Sequence, residues 1–514
     1  MTVPAPRPPL TPAPPASEPE GPLKERTVNA AKWSYLSFGI IAAIQPLFAA
    51  ILARLVTPGQ FGAVAIGMLL YALGQYLNDL GVSQALVQKR ELTRDDVRAG
   101  FTSSIVLGLF TTLLGWFSAP LAGHFFHNPE VVPVFRGFAC TYLLVTLAIV
   151  PNSLLRRELR FKPLMWVELS SYLLGHGLFG LGSAWLGFGA MSLVISVLAQ
   201  NIVSLAGLFI LKPPSFGVTL RWESFRGLYA FGSRVSLVSL MEFASQSLDT
   251  FLIGRLYSAA SLGLYNRAYN ITLNPMLLLA RSTSRVMAPS FSKVQTEPER
   301  LRRAYLSGIQ ALSVVIFPVA LGILVCAHEL VLVLLGERFA GSIPVVQVLA
   351  LLIPFPVLTN LAAVMAEATA RLNVKIGIQA AYLAFTISAF LLVHSLGYGV
   401  ITFALVLLCA GILRCLAYTV VAGGIIGGSA LDSLRVYAVG AAWGLVVATP
   451  LYLVVSLMRS LHLALPLIFG AELLVGGGML LAVIMFGPPN ELRTLIQTLL
   501  RRRPFSGKQA QRQP

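Results

Sequence analysis

The sequence predicts an all-α integral membrane protein of about fourteen transmembrane helices, on three grounds. Of its 514 residues, 56% are hydrophobic and only 11% charged, with a mean hydropathy of +0.77. A soluble domain carries roughly 25% charged residues, so a soluble chain of this length could not cover itself. The apolar runs are continuous and about 20 residues long, the length of a helical span, where a membrane barrel strand would alternate over about 10. Finally, 38 Lys and Arg against 21 Asp and Glu give a net charge of +17, and this excess is concentrated in alternate loops. That is the positive-inside pattern rather than a nucleic-acid surface.

In chain order, residues 1–30 read as a disordered, cytoplasmic, Pro-rich tail with little to bury (Pro4, Pro6, Pro8, Pro9 and Pro12 among others). The first apolar run starts near Ala31 and is not closely followed by a small-residue cleavage site, so it reads as a span rather than a signal peptide. Fourteen apolar segments follow, near 31–55, 61–79, 99–118, 131–152, 164–186, 188–211, 227–254, 263–288, 304–327, 343–366, 376–394, 398–421, 435–457 and 466–487. Each can cross about 30 Å of hydrocarbon at 1.5 Å per residue. The seventh and eighth carry the most charge. Residues 488–514 form a basic cytoplasmic tail ending in Arg501, Arg502, Arg503 and Lys508, suited to an anionic leaflet.

Loop charge sets the orientation. Lys89, Arg90, Arg94 and Arg98, then Arg156, Arg157, Arg160 and Lys162, then Arg300, Arg302 and Arg303 all fall on the side of the N-terminus. Outside fall Arg54, Arg136, Arg255, Arg338 and Arg459. Both termini are therefore expected in the cytoplasm. The longest external loops, about 119–130 and 328–342, are too short for a folded domain. Cys140, Cys326, Cys409 and Cys415 lie in apolar runs without metal or redox spacing. There is no phosphate-binding G-x-x-x-x-G-K-[ST] loop, no metal-ligand cluster and no G-x-S-x-G motif. The pair His124 and His127 in the first long external loop reads as solvated.

An internal repeat divides the chain. I-L-A-R-L-V-T-P-G-Q-F-G from Ile51 matches L-I-G-R-L-Y-S-A-A-S-L-G from Leu252, 201 positions later (252 − 51). Arg54 falls on Arg255, Phe61 on Leu262 and Gly62 on Gly263. Each copy ends one span and enters the next. The offset lays span 1 over span 7, giving two parallel six-span lobes, 31–226 and 227–434, with helices 13 and 14 (435–487) appended.

Ionisable groups inside spans cost a few kcal/mol each and face a cavity or a partner. At 100° per residue, Arg267, Asn270, Asn274, Arg281 and Arg285 of span 8 lie within about 60° of one another. The stripe runs about 27 Å along the helix and holds three cations, two amides and no acid. It suits a water-filled cavity that receives an anion. The alternative is that the arginines snorkel to the two interfaces. Pro275 lies in mid-span and suits a helix that bends. Span 7 carries Arg234, Glu242, Ser245 and Asp249 on an arc of about 80°. Glu242 and Asp249 are candidates for neutralising the arginines or for holding a coupling ion; a structural ion-pair network fits equally. Gln75, Asn78 and Asp79 close span 2, with Asp79 near the interface. Arg54 and Arg414 read as structural or snorkelling cations.

The segments L-A-R-L-V-T-P-G-Q-F-G (52–62), N-D-L-G-V-S-Q-A-L-V-Q-K-R (78–90), I-V-P-N-S-L-L-R-R-E-L-R-F-K (149–162) and L-D-T-F-L-I-G-R-L with the following L-G-L-Y-N-R-A-Y and V-M-A-P-S-F-S-K-V-Q (248–295) resemble bacterial polysaccharide exporters. The resemblance covers roughly residues 30–300; beyond that it is one of hydropathy alone. It implies the Wzx-type flippases of the multidrug/oligosaccharidyl-lipid/polysaccharide exporter superfamily. It further implies two six-helix lobes around a central cavity with two extra helices, in the bacterial inner membrane. The implied activity is transfer of undecaprenyl-diphosphate-linked oligosaccharides, precursors of O-antigen, capsule or exopolysaccharide, between leaflets. On that reading Arg234, Arg267, Asn270, Asn274, Arg281 and Arg285 meet the diphosphate head group, because guanidinium groups bind phosphate bidentately. Glu242, Asp249 and Asp79 serve coupling or ion pairing. No cofactor or metal is expected beyond a coupling proton or sodium ion. The expected partners are the lipid-linked glycan, membrane lipids and a polysaccharide polymerase or co-polymerase, with no nucleic acid. The chain is not expected to be an enzyme. A drug antiporter of the same superfamily would want cavity acids for cationic substrates. A membrane glycan polymerase or ligase would want a larger external loop.

Overall fold

The computed structural model of the chain describes residues 23–79, 82–89, 92–213, 243, 246–369 and 371–486. The described residues are helical, with no β-strand among them. In chain order the helices are α1 (Leu23–Leu55), α2 (Pro58–Asp79), α3 (Val82–Gln88), α4 (Arg94–Phe125), α5 (Val131–Arg157), α6 (Phe161–Tyr172), a π-helical segment (Leu173–Gly180), α7 (Leu181–Trp185) and α8 (Ala190–Leu211). After α9 (246–256) come α10 (Ala259–Val294), α11 (Pro298–Leu334), α12 (Ile343–Leu352), α13 (Pro354–Ala368), α14 (Leu372–Ser395), α15 (Val400–Ile425), α16 (Ala430–Ser460) and α17 (Leu465–Phe486).

Eleven stretches of these helices are long and apolar enough to cross a membrane. They coincide with eleven of the fourteen expected segments. The other three differ for separate reasons. The segment 227–254 lies mostly outside the described residues. The segment 164–186 is helical but passes through the π-helical turn between α6 and α7, where His176 Nε2 lies 3.0 Å from Gln200 Oε1 of α8. The segment 263–288 forms an unbroken helix, α10, whose three arginines lower its hydropathy. A count of fourteen is thus not established. The external connections are shorter than expected. α4 runs on to Phe125, leaving 126–130, and α11 runs on to Leu334, followed by a 3₁₀ turn at Glu337–Ser342.

The chain folds as two compact units, Met1–Asn266 and Arg267–Pro514. Within the first unit the sequence repeat recurs in matching backbone hydrogen bonds and helix caps. Val56 N donates to Leu52 O at 2.9 Å, and Tyr257 N donates to Ile253 O at 2.9 Å. Thr57 Oγ1 then accepts from Gln60 N at 3.4 Å as the cap of α2, and Ser258 Oγ accepts from Ser261 N at 3.2 Å as the cap of α10. Such caps satisfy amides that the first helical turn leaves unpaired. The repeat mates Phe61 and Leu262 are both buried.

The two helix starts also cross each other reciprocally. A Cβ on Gly62 would lie 1.8 Å from Ala259 O, and a Cβ on Gly263 would lie 1.8 Å from Pro58 O. Positions 58 and 259, like 62 and 263, are 201 apart, so a local two-fold relates the crossing. Only a residue without a side chain permits backbones so close.

The quoted motifs of the first unit are largely architectural. Arg157 Nη1 donates to the carbonyls of Leu86 and Lys89 at 3.1 and 2.5 Å and so closes the C-terminal end of α3. Ser153 Oγ donates to Ser83 Oγ at 3.1 Å, and Thr111 Oγ1 donates to Asn78 Oδ1 at 2.5 Å. Thr93 and Asp96 form a capping box at the start of α4, and Lys89 Nζ lies 2.6 Å from Asp96. In the second unit α11 packs along α16 and α17. Arg302 pairs with Asp432 at 2.8 Å near the start of α11, and Arg459 pairs with Glu329 near its end.

Candidate functional site

The residues singled out on span 8 all lie on α10. Because the helix is continuous through Pro275, the helical period that grouped Arg267, Asn270, Asn274, Arg281 and Arg285 is realised in the backbone. Arg267 and Asn270 are half-buried and Asn274 is exposed. Asn274 Nδ2 donates to Asn270 Oδ1, so the two amides are one polar step on the helix. The side chains of Arg281 and Arg285 lie outside the described part; their backbone positions fix only the arc they share.

The packing of α10 from Arg267 onward explains why this face is polar. Its buried residues are Ala268, Thr272, Leu273, Ala280 and Phe291. By the helical period they point about 100–240° away from Arg267. Neighbouring helices of the second unit sit on that side. Asn360 of α13 donates to Ala280 O at 3.2 Å and to Ser284 Oγ at 2.5 Å. A Cβ on Gly308 of α11 would lie 3.2 Å from Met287 Cε. Within the arc of the polar stripe no described residue is buried. Protein therefore covers the apolar face, while in the polar arc Asn274 is exposed and Arg267 and Asn270 are half-buried. Arginines and amides in mid-membrane cannot face hydrocarbon, so such groups belong beside water, a ligand or a polar partner. Guanidinium groups there offer planar, bidentate donors to a phosphate.

The remaining predicted residues are placed as follows. Arg234, Glu242 and Ser245 lie outside the described residues. Asp79 is the last residue of α2, and its side chain is not described. Asp249 is buried in the first unit. Its carboxylate accepts from Tyr265 Oη at 2.5 Å and from Thr250 N at 2.7 Å, which ties α9 to the start of α10. The sequence offered arginines as its partners and did not single out Tyr265.

Arg414 lies over the ring of Tyr382 at 4.5 Å, linking α15 to α14, as a structural cation would. Arg255, the repeat mate of Arg54, lies over the ring of Phe125 at 5.1 Å with Nη1 2.8 Å from His127 Nδ1. The pair His124 and His127 was expected to be solvated; both are exposed, and His127 is in addition engaged by Arg255. Nothing in the sequence links positions 127 and 255, whereas the contact follows once the end of α4 meets the end of α9. Among the described residues no group of three or more His, Cys, Asp or Glu could hold a metal ion.

Three comparisons bear on this arrangement. A family model described as "Polysaccharide biosynthesis protein" matches residues 51–344. Lipopolysaccharide biosynthesis protein WzxC of Escherichia coli (strain K12) is 26% identical over 329 residues, 64% of this chain and 67% of its own length. Teichuronic acid biosynthesis protein TuaB of Bacillus subtilis (strain 168) is 25% identical over 66% of this chain and 70% of its own. Succinoglycan biosynthesis transport protein ExoT of Rhizobium meliloti (strain 1021) is 27% identical over 62% and 64%. Among solved structures, the lipid II flippase MurJ in an inward closed conformation superposes with a TM-score of 0.66 at 13% identity, over 92% of this chain and all of that one. An inward-facing multidrug resistance MATE family transporter of the MOP superfamily gives 0.58 at 17% identity, over 77% and 94%. At these identities the two structures establish a common fold.

Proposed function

Because the chain belongs to the polysaccharide biosynthesis protein family, we propose that it is a flippase, not an enzyme: it carries a lipid-linked oligosaccharide from one leaflet of the membrane to the other. The observation that carries this reading is the polar arc of the continuous helix α10, on which Arg267, Asn270, Asn274, Arg281 and Arg285 share one side with no acid among them and Asn274 is exposed. The names of the relatives agree with it: lipopolysaccharide and teichuronic acid biosynthesis, succinoglycan transport and, for the shared fold, flipping of lipid II.

The finer reading is ours. The substrate is an oligosaccharide on undecaprenyl diphosphate, whose tail stays in the bilayer while the diphosphate crosses along α10. Arg267, Arg281 and Arg285 meet the phosphates, with Arg234 joining them from span 7. Asn270 and Asn274 hydrogen-bond the sugar or phosphate oxygens. Glu242, Asp249 and Asp79 provide ion pairing or coupling, and a proton or sodium gradient supplies the driving force. The protein sits in the bacterial inner membrane with both termini in the cytoplasm, as the loop charges favour. There it delivers its cargo to a polysaccharide polymerase or co-polymerase.

Native mass spectrometry of the detergent-purified protein tests the head-group assignment. Undecaprenyl diphosphate should be retained and undecaprenol, its uncharged parent, should not. Retention should fall about tenfold or more in the Arg281→Ala, Arg285→Ala double variant, the scale of a lost charge-assisted hydrogen bond of about 1.5–3 kcal/mol. Equal retention of diphosphate and alcohol would overturn the assignment.

A further inference from the structure

The second unit holds a polar cluster that the α10 face does not use. Near the end of α11, Glu329 is 1% exposed, and its carboxylate accepts from both Nε and Nη2 of Arg459 of α16, at 2.7 and 2.6 Å. This bidentate pair occupies the guanidinium edge that faces the cluster. Glu472 of α17 is 3% exposed; among the described residues no cation or backbone amide donates to either of its carboxyl oxygens, and its polar neighbours are the Glu329 carboxylate and the Cys326 thiol. It lies seven residues into α17, about 10 Å along the helix at 1.5 Å per residue.

Ile468 and Val475, four residues before Glu472 and three after it, share its helix face. They pack into an apolar cluster with Leu451, Val455, Val325 and Cys326. The ionisable groups facing Glu472 are Glu329 and Cys326 from α11 and Arg459 from α16. His328 of α11, half exposed, has Nδ1 3.5 Å from Glu329. The charge count is thus two carboxylates to one guanidinium, and the guanidinium is already engaged by Glu329. A second buried carboxylate beside the first, in an apolar wall, would carry an uncompensated charge, which costs far more than a neutral acid.

We propose that Glu472 is a proton-binding site: it carries its proton in the folded protein and exchanges it with the aqueous face at which α11 and α16 end, past the half-exposed His328 and Arg459. A divalent metal does not fit, because the described residues supply no set of three ligands. The proton forms an O–H bond on one Glu472 oxygen and leaves as a hydrated proton, so no other reactant takes part.

Infrared difference spectroscopy of the full chain in lipid membranes, without any glycan lipid, tests this independently of the transport reading. The wild-type minus Glu472→Gln spectrum should contain the carbonyl band of a neutral carboxylic acid, and raising the pH should replace that band by carboxylate bands. Glu329→Gln keeps Glu472 but frees Arg459 to pair with it, so the neutral-acid band should be lost there as well. That second variant keeps the test decisive if Glu472→Gln folds poorly. A difference spectrum without a neutral-acid band, or a Glu329→Gln variant that retains it, would overturn the proposal. So would loss of the band on adding sodium at constant pH, which would make the site one for a metal cation.

Discussion

Gly62→Ala should strongly reduce the yield of folded protein and lower its melting temperature. The added Cβ would stand 1.8 Å from the carbonyl oxygen of Ala259, a backbone atom that cannot rotate away. Overpacking of this kind costs about 1–3 kcal/mol where side chains can yield. Where only backbone can yield, the upper end of that range or more is expected. Gly263→Ala should behave alike, because its Cβ meets Pro58 O at the same distance. Gly59→Ala is the internal control: nothing lies within 4 Å of its Cβ position. It sits in the first turn of α2, where alanine is the better helix former, so stability should be unchanged or slightly raised. Thermal unfolding in detergent, followed by size-exclusion profiles, distinguishes the three. If Gly62→Ala and Gly59→Ala melted together with wild type, α2 and α10 would not cross as described.

Arg281→Ala and Arg285→Ala should each slow head-group transfer by about 10–100-fold, since removing one charge-assisted contact to phosphate forfeits about 1.5–3 kcal/mol. Arg414→Ala should change the rate little. Arg414 lies in α15 over the Tyr382 ring, and an interaction of that kind is worth about 0.5–2 kcal/mol to the fold. Rates from single-turnover transfer in proteoliposomes, normalised to folded protein, decide this. Full activity in all three variants would remove α10 from the substrate path. A loss in Arg414→Ala as large as in the other two would mean that any cation in the membrane matters and that the arc on α10 has no special role.

Much of this was legible from residue order because bilayer physics is one-dimensional. Apolar length gives spans, and a 3.6-residue period gives faces. Span 8 shows both the strength and the limit of this. Its polar arc was visible, but which side of α10 its neighbours cover is a tertiary fact, carried by Asn360, Gly308 and Ala280. The matched turns at Ile51 and Leu252 were visible as text. That they cap and cross by one geometry required Thr57, Ser258 and the two glycines to meet in space.

Long-range partners were the main loss. Tyr265 for Asp249, His127 for Arg255 and Arg459 for Glu329 join residues that no local pattern connects. Glu472 is a different kind of omission. It is the only acid in the last apolar segment, and an acid within a span is a functional candidate on that ground alone.

The central claim is tested most directly by reconstituting the purified protein into liposomes that hold a fluorescent undecaprenyl-diphosphate oligosaccharide. Exposure of the head group on the outer leaflet is then followed with an impermeant quencher or a lectin. Protein-dependent movement of the diphosphate-linked glycan between leaflets is the predicted result. No movement of any lipid-linked glycan, together with gradient-driven efflux of a soluble organic cation from the same liposomes, would contradict it and make the chain an antiporter.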